Sequence, residues 1–521
     1  MTGTPPLSSS LVSLPGVEGA PVEHGGIWHV RVNQGAIADA VAALLEMPSA
    51  TLMLMAGEDR LRRGQMGVHY FVAIGAALAH VETILPREGA AIPTLAAHSF
   101  PASRFERETR DLLGIVPIGH PDPRPLVRHG FWPESYFPLR EDASAPAFAD
   151  DGRAFPFTEV QGEGVYEIPV GPVHAGIIEP GHFRFSVLGE TIVKMRARLY
   201  FTHKGTERLF AGRNAAEGVP LAERVSGDTA VGHTLAYCQA LESLCEVEVP
   251  ARAGRWRTVL LELERIYNHV MDAGAILADT GFPVGQAHCL RLREHLLRLN
   301  KTLTGHRLLR GAIVPGGLAF EPHGGRDLLP VLRETTSDFA EMMEIACENT
   351  MVRDRLDDTG RLPADVARDF GVVGYVARAC GLARDERADH PFAAYADLGF
   401  EPIVENGGDV YARLQVRLRE VRQSVDLVER AIAGLPADSD IRATLGALRA
   451  GATGFGVVEA WRGRLAHMVI VGEDGRLHRV KIVDPSFFNW PALARALEDN
   501  IVPDFPLINK SFNQSYSGND L

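Results

Sequence analysis

The sequence predicts an α+β fold in two parts: a small αβ domain, then a larger domain with an N-terminal β-sheet, a helical-bundle core and a β-containing C-terminal part. Three observations carry this. Between residues 27 and 140 short strand-like and helix-like segments alternate. Val259, Leu263, Ile266, Val270, Ala273 and Leu277 recur at steps of three and four, as do Leu414, Leu418, Val421, Val425, Val428 and Ile432. Each set makes one face of a long helix, and long amphipathic helices imply a bundle. β character flanks this bundle, from Glu167 to about Tyr200 and again from Gly451 to Val483.

The elements follow in order. Residues 1–26, rich in Ser, Pro and Gly, read as a mobile leader. Residues 27–140 form the small domain, with a helix over 36–46 and strands over 51–54 and 68–74. Residues 141–164, with Asp142, Asp150, Asp151, Glu159 and Glu163, read as a linker. The larger domain covers 165–521. Its first long helix stops at Gly281, its second at Gly434-Leu435-Pro436, and a turn falls at Glu473-Asp474-Gly475.

Composition narrows the function. At 521 residues the chain exceeds one ordinary core. Its formal charge of −13 disfavours nucleic acid as a partner. Cys238, Cys245, Cys289, Cys347 and Cys380 contain no C-x-x-C pair and read as reduced thiols. The N-terminus shows no basic segment followed by an apolar run. His69, His80 and Glu82 interrupt the apolar span 68–85, and a bilayer crossing needs about 20 consecutive apolar residues, so a buried strand or hairpin is expected there.

Two groups of motifs then carry a resemblance. The string Phe100-Pro101-Ala102-Ser103-Arg104-Phe105-Glu106-Arg107-Glu108, followed by Asp111-Leu112-Leu113-Gly114-Ile115, reads as an amphipathic helix with a glycine stop. Gly119-His120-Pro121-Asp122-Pro123-Arg124 and Pro138-Leu139-Arg140 make a proline-fixed loop after it. Together they resemble the C-type component of NADH-quinone oxidoreductase (complex I), a docking subunit without a redox centre. Gly171-Pro172-Val173-His174, Glu179-Pro180-Gly181-His182-Phe183-Arg184-Phe185 and His203-Lys204-Gly205-Thr206-Glu207-Arg208 resemble the D-type component of complex I. With Glu459-Ala460-Trp461-Arg462-Gly463 and Lys481-Ile482-Val483-Asp484-Pro485-Ser486-Phe487 they resemble still more the large subunit of formate-hydrogenlyase-type nickel-iron hydrogenases, where both parts are fused in this order.

That resemblance implies two C-x-x-C pairs as metal ligands, and the sequence lacks them. The first matching stretch is Arg224-Val225-Ser226-Gly227-Asp228-Thr229-Ala230-Val231-Gly232-His233, with Ser226 and Thr229 at the cysteine positions. The second is Asn513-Gln514-Ser515-Tyr516-Ser517-Gly518, with Ser515 and Gly518 there. Hydroxyls are poor substitutes for soft thiolates, so no metal and no hydrogen activation are expected on this chain.

What remains is polar. By the resemblance, Glu179 stands where hydrogenases pass protons to the metal, and it is either a relay or a carboxylate paired with Arg184 or Arg224. Asp228 is an added ionisable group, functional or bonded to His233 or an arginine. His233 is a third relay candidate or a core histidine. His182 resembles the histidine that contacts quinone in complex I, after a two-residue insertion, while Gly227 stands where that family has its tyrosine. Tyr237 reads as core, His174 and His203 as loop structure. Glu262, Glu264, Arg265 and His269 read as a solvated or interface face of their helix.

The implied setting is NADH-dehydrogenase-like electron transport at the cytoplasmic face of the inner membrane, held there through partners. Those partners are an iron-sulfur small subunit, a ferredoxin-like subunit and an integral membrane subunit. Iron-sulfur clusters reside on partners, quinone or NAD binding attaches to the assembly, and a structural scaffold with a vestigial cavity is the alternative. Protein produced in nickel-rich medium is expected to contain well under one nickel per chain, since all four thiolate positions are altered. Elemental analysis checks this, and a stoichiometric content would overturn it.

Overall fold

The computed structural model describes residues 7–150, 152, 154–437 and 440–521. Residues 1–6 of the expected leader and Asp151 of the expected linker lie outside them. The chain divides into two units, one of residues 1–159, 203–209 and Asp520, the other of 160–202, 210–519 and Leu521.

In the first unit, residues 7–26 carry helix α1 (Leu7–Val12) and strand β1 (Val22–His24), with Leu11 and Leu14 buried. These two leucines anchor a segment whose composition suggests a leader. Then come β2 (Ile27–Arg31), α2 (Ile37–Leu45), β3 (Ala50–Arg60), β4 (Gln65–Ile74) and β5 (Ala77–Pro86). The sheet order is β1-β2-β5-β4-β3, with only β2 and β5 parallel. The span 68–85 is the expected buried hairpin, β4 and β5. A parallel pair, β6 (Ala91–Pro93) and β7 (Val116–Ile118), flanks α3 (Phe100–Leu113), and residues 203–209 hold most of the short α4 (Thr206–Phe210).

Helix α3 shows what the first signature is for. Ser99 caps its N-terminus, and Gly114, at φ 79°, ends it in the left-handed region that glycine adopts freely. The helix lies against β3 at Gly57, where a Cβ would come within 2.5 Å of Leu113. Its charged residues clamp the following loop. Asp111 Oδ2 accepts from the amides of Leu126, Val127 and Arg128 at 2.7, 2.8 and 3.3 Å. Arg107 and Arg110 donate to the carbonyls of Arg124, Pro125 and Pro123.

The second unit opens with the antiparallel sheet β10-β9-β8, built from β8 (Val165–Val170), β9 (His182–Leu188) and β10 (Thr191–Arg198). Helices α5 (Ala215–Ala222), α6 (Ala230–Cys245), α7 (Ala251–Asp279) and α8 (Pro283–Thr304) follow, then the two-residue strands β11 (Ile313–Val314) and β12 (Gly317–Leu318). After α9 (Gly325–Glu348) come α10 (Thr350–Leu356), α11 (Ala364–Asp369), α12 (Gly374–Ala379) and α13 (Glu386–Asp389), and then the long α14 (Val410–Ala433). The meander β13 (Thr453–Ala460), β14 (Gly463–Val471), β15 (Leu477–Val483) precedes α15 (Pro485–Ala496), α16 (Phe505–Phe512) and α17 (Tyr516–Asp520).

Helix α7, 29 residues long, is the axis of this unit and packs against α8 and α14. The expected solvated face on it is not there. Glu262, Glu264, Arg265 and His269 are all fully buried, and so is Asp272. Surrounding elements supply their partners. Glu262 meets Arg265 and, from α13, Arg387. His269 Nε2 lies 2.7 Å from Glu420 Oε2 of α14, whose other oxygen binds Arg378 and Arg387. Arg378 also binds Glu459 of β13 at 2.7 Å. Periodicity shows which residues share a face, but not which faces other elements cover.

Close packing of α6 on β13 depends on two glycines. A Cβ on Gly454 or Gly456 would lie 2.1 Å from the carbonyl oxygens of Ala240 and Ala236, respectively. Gly456→Val is therefore expected to destabilise the fold by about 2–3 kcal/mol, as overpacking of a core does. Gly176→Ala, where a Cβ meets nothing within 4 Å, should change little. Urea unfolding of the two variants checks the contrast.

Candidate functional site

The site forms where the loop before α6, the turn between β13 and β14, and the C-terminal tail meet. Helix α6 is preceded by Thr229, whose side chain does not cap it. Instead Glu264 reaches from α7 and accepts from the amides of Val231 and Gly232 at 2.7 and 3.0 Å. Burial pushes the Glu264 carboxyl up to about 8, against these two amides. Asn268 Nδ2 and Trp461 Nε1 donate to the Asp228 carbonyl at 2.8 and 3.1 Å, so the loop is held from two sides.

Asp228 makes a bidentate ion pair with Arg462, at 2.6 and 2.7 Å. Ser226 and Thr229 donate to the same carboxylate at 2.9 and 3.0 Å. Burial alone would raise its pKa, but the Arg462 charge and these hydrogen bonds hold it at about 2. Asp228 is therefore held as an anion paired with Arg462. Of the two partners considered for it, the arginine is the one it has. Arg462 stacks 3.9 Å over Trp461 and donates through Nε to the Asn513 carbonyl at 2.6 Å, which ties the tail to this pair.

Two of the four positions where the resemblance implies thiolates meet. Ser226 Oγ and Ser515 Oγ are 2.8 Å apart although 289 residues separate them. Ser515 Oγ also accepts from the Gly518 amide at 2.9 Å. A nickel-iron centre does not fit this donor set. The three hydroxyls are engaged with one another, with Asp228 and with backbone, and at Gly518 a Cβ would stand 2.6 Å from the Asp484 carboxylate. That carboxylate is pinned by the Ser486 amide at 2.8 Å and by His233 Nε2 at 3.1 Å.

His233 is buried, with its second nitrogen 3.1 Å from His467 Nε2. Burial, then the neighbouring His233, holds His467 well below the usual imidazole range, so His467 stays neutral. Glu179 is at the surface, its Oε2 accepting from the Ser517 amide at 2.9 Å. Arg184 pairs with Glu167 and Arg224 with Glu223. His182 opens β9, its Nδ1 3.3 Å from the Gly171 carbonyl. Beside Gly227 a Cβ would meet nothing within 4 Å, so the place of the family's tyrosine faces open space. Tyr237 is core, donating to the Ala215 carbonyl.

Asp272 continues the network inward, meeting Arg417 at 3.0 Å and the Asn513 side chain. Burial pushes its carboxyl up to about 6 against the charges of Arg417 and Arg462. Burial, then the charge of Asp385, likewise raises Glu459 to about 8. Sequence reasoning misses Arg462, Asp484, Asp272 and Glu459 as site residues. Arg462, Asp484 and Glu459 lie inside the motifs quoted above, but only the fold aims them at residues 226–229.

This fold defines the class: a large subunit of the complex I and membrane-bound hydrogenase type. Comparisons with known proteins agree. Residues 30–149 match the family model of the respiratory-chain NADH dehydrogenase 30 Kd subunit, and residues 279–447 that of the 49 Kd subunit. The chain is 34% identical to formate hydrogenlyase subunit 5 of Escherichia coli (strain K12) over 80% of its length and 74% of that protein's. It is 31% identical to hydrogenase-4 component G of the same strain, over 94% and 87%. A chain of the membrane-bound sulfane sulfur reductase, an archaeal respiratory membrane complex, superposes with TM-score 0.63 at 26% identity, covering 69% of this chain and 99% of that one. The chain belongs to this family, in the form that fuses the two complex I parts. It is a subunit of a complex I-like, membrane-associated oxidoreductase. Among the described residues no helix is long and apolar enough to cross a membrane.

Asp228→Asn keeps the shape and removes the anion, leaving Arg462 without its counter-charge. A loss of about 2–3 kcal/mol in unfolding free energy is expected. Because the folded-state pKa is depressed from 3.8 to about 2, the contribution is complete above pH ~4 and fades as pH falls towards ~2. Acid unfolding curves of the parent and variant should therefore converge at low pH.

Proposed function

We propose that this chain serves its assembly without a nickel-iron centre of its own, by moving protons between the vacated cavity and the helix α7 axis. Electrons come from an iron-sulfur partner, and their transfer to quinone is coupled to proton or ion movement by an integral membrane partner. Asp272 carries the reading. It is a fully buried carboxyl with a pKa of about 6, joined through Asn513 to the tail that holds Ser515. A group with that pKa exchanges protons near neutrality, which Asp228 cannot do. Glu264, at about 8, stands on the same helix beneath the loop of Ser226, Asp228 and Thr229. Asp484, His233 and His467 form a second hydrogen-bonded row.

Glu179 is the entry to this network, at the surface and bonded to the tail at Ser517. His182 and the space beside Gly227 are where a quinone headgroup would be met. The exposed side chains of Val173 and Ile177, at 84% and 100%, lie in the loop before Glu179 and suit burial against a partner subunit. The relatives' places in formate hydrogenlyase, hydrogenase-4 and an archaeal respiratory membrane complex support a peripheral place on a membrane assembly, and the cytoplasmic face is the side this reading assigns.

One observation favours a second reading, a structural scaffold. The Ser226–Ser515 hydrogen bond and the Asp228–Arg462 pair knit the former metal pocket shut. Asp272→Asn in the assembled complex separates the two. Under the proton reading, coupled ion movement falls on the order of a hundredfold while assembly is normal, as loss of a general acid-base group does. Glu179→Gln lowers it less, because water can replace a surface entry group. Unchanged coupling in a fully assembled Asp272→Asn complex would leave the scaffold reading standing.

A further inference from the structure

The β-sheet of the first unit has a polar face that none of the roles above uses. Alternation along neighbouring strands places His29 of β2, His80 and Glu82 of β5, His69 of β4 and Glu58 of β3 on it. Their side chains make a continuous row. His29 Nδ1 lies 2.9 Å from His80 Nδ1, His80 Nε2 lies 3.0 Å from His69 Nδ1, and His69 Nε2 lies 3.1 Å from Glu58 Oε2. Gly67, opposite Glu58, makes room for the last contact, since a Cβ there would stand 2.8 Å from Glu58 Oε2. His69 and His80 are buried, and Phe71 stacks on His80 at 4.5 Å.

Hydrogen-bond chemistry gives this row a direction. A carboxylate only accepts, so His69 donates from Nε2 and its Nδ1 must accept. His80 then donates from Nε2 and accepts at Nδ1, and His29 donates from Nδ1. The row ends at His29 Nε2, which is buried and makes no side-chain hydrogen bond. We infer that this row takes up one proton at His29 and delivers it to His69 against Glu58. On uptake, a proton joins His29 Nε2, the Nδ1 proton of His29 passes to His80 Nδ1, and the Nε2 proton of His80 passes to His69 Nδ1. Two N–H bonds break, three form, and a single positive charge ends on His69. His29 and His80 return to neutrality as the opposite tautomers.

The surroundings fit that endpoint. Burial, then the rings of His69 and His29, keep His80 well below the usual imidazole range, and burial and the charge of His24 lower His29 against a backbone hydrogen bond to His24, whereas His69 faces the Glu58 carboxylate. The remaining charged groups on this face are Arg31, Arg60 and Glu82. Arg60 bridges Glu58 at 2.6 Å and Glu82 at 2.5 Å, and Arg31 meets Glu82 at 3.1 Å. Glu58, His69 and Glu82 do offer three donor atoms within 4.8 Å of one another. Arg60 is already the cation between them, which leaves the proton as the species the row carries.

Nuclear magnetic resonance of the full chain carrying isotope-labelled histidine tests this. At pH above neutrality His69 and His80 should be Nε2–H tautomers and His29 the rarer Nδ1–H tautomer. On acidification all three should change with one midpoint, His69 becoming the imidazolium and the other two switching tautomer. His80→Phe, which keeps the stack on Phe71, should slow proton exchange at His69 by at least about tenfold. His80→Gln, which keeps a hydrogen-bonding group but cannot pass a proton, should do the same. Independent titration of the rings, fast exchange at His69 in either folded variant, or stoichiometric zinc binding that shifts the His69 signals would overturn the inference.

Discussion

A long helix that buries charged side chains in the middle of a protein has to find its counter-charges inside the same fold. Helix α7 buries Glu262, Glu264, Arg265, His269 and Asp272, and none of these reaches solvent. An unpaired charge there would cost several kcal/mol, so the neighbouring elements are bound to present partners. Arg378 sits on α12, Arg387 on α13, and Arg417 and Glu420 on α14, and all are fully buried. The short helices between α9 and α14 bring Arg387 to Glu262 of α7, and Arg378 to Glu420 of α14 and Glu459 of β13.

The same constraint shapes the loop before α6. Glu264 caps α6 in trans and thereby positions the loop that carries Ser226, Asp228 and Thr229. Arg462 takes Asp228 and, through the Asn513 carbonyl, the tail. At positions where the resemblance implies thiolates, this chain has hydroxyls that bond to one another, next to a carboxylate that neutralises an arginine. Gly518 completes the change, because the space a side chain would occupy belongs to Asp484. The pocket is thus rebuilt as a hydrogen-bonded junction, and restoring one cysteine would not recover a donor set.

The first unit uses its charges differently. In α3 they hold a loop, with Asp111 receiving three successive amides and two arginines taking the carbonyls opposite. These contacts account for the charge-rich signature around Glu106 to Arg124. On the sheet's polar face the charged groups form a row of imidazoles instead, made possible by one glycine and by the strand register.

Local pattern is enough for the fold class and for the long elements. The three- and four-residue periods give the helices containing Leu263 and Val421, Gly114 gives the end of α3, and the motif strings give the family. Those features depend on neighbours in sequence, which is why one chain suffices to read them. The anchoring of residues 7–26 is hidden, because Leu11 and Leu14 are too few to stand out in a Ser- and Pro-rich stretch. The burial of the polar face of α7 is hidden too, because periodicity cannot say what packs outside a helix. Above all, Ser226 and Ser515, His233 and Asp484, or Asp228 and Arg462 are each separated by more than 200 residues. Only tertiary folding decides that they meet. Only the burial and counter-charges found there decide that Asp228 stays ionised while Asp272, one helical turn beyond His269 on α7, can hold a proton.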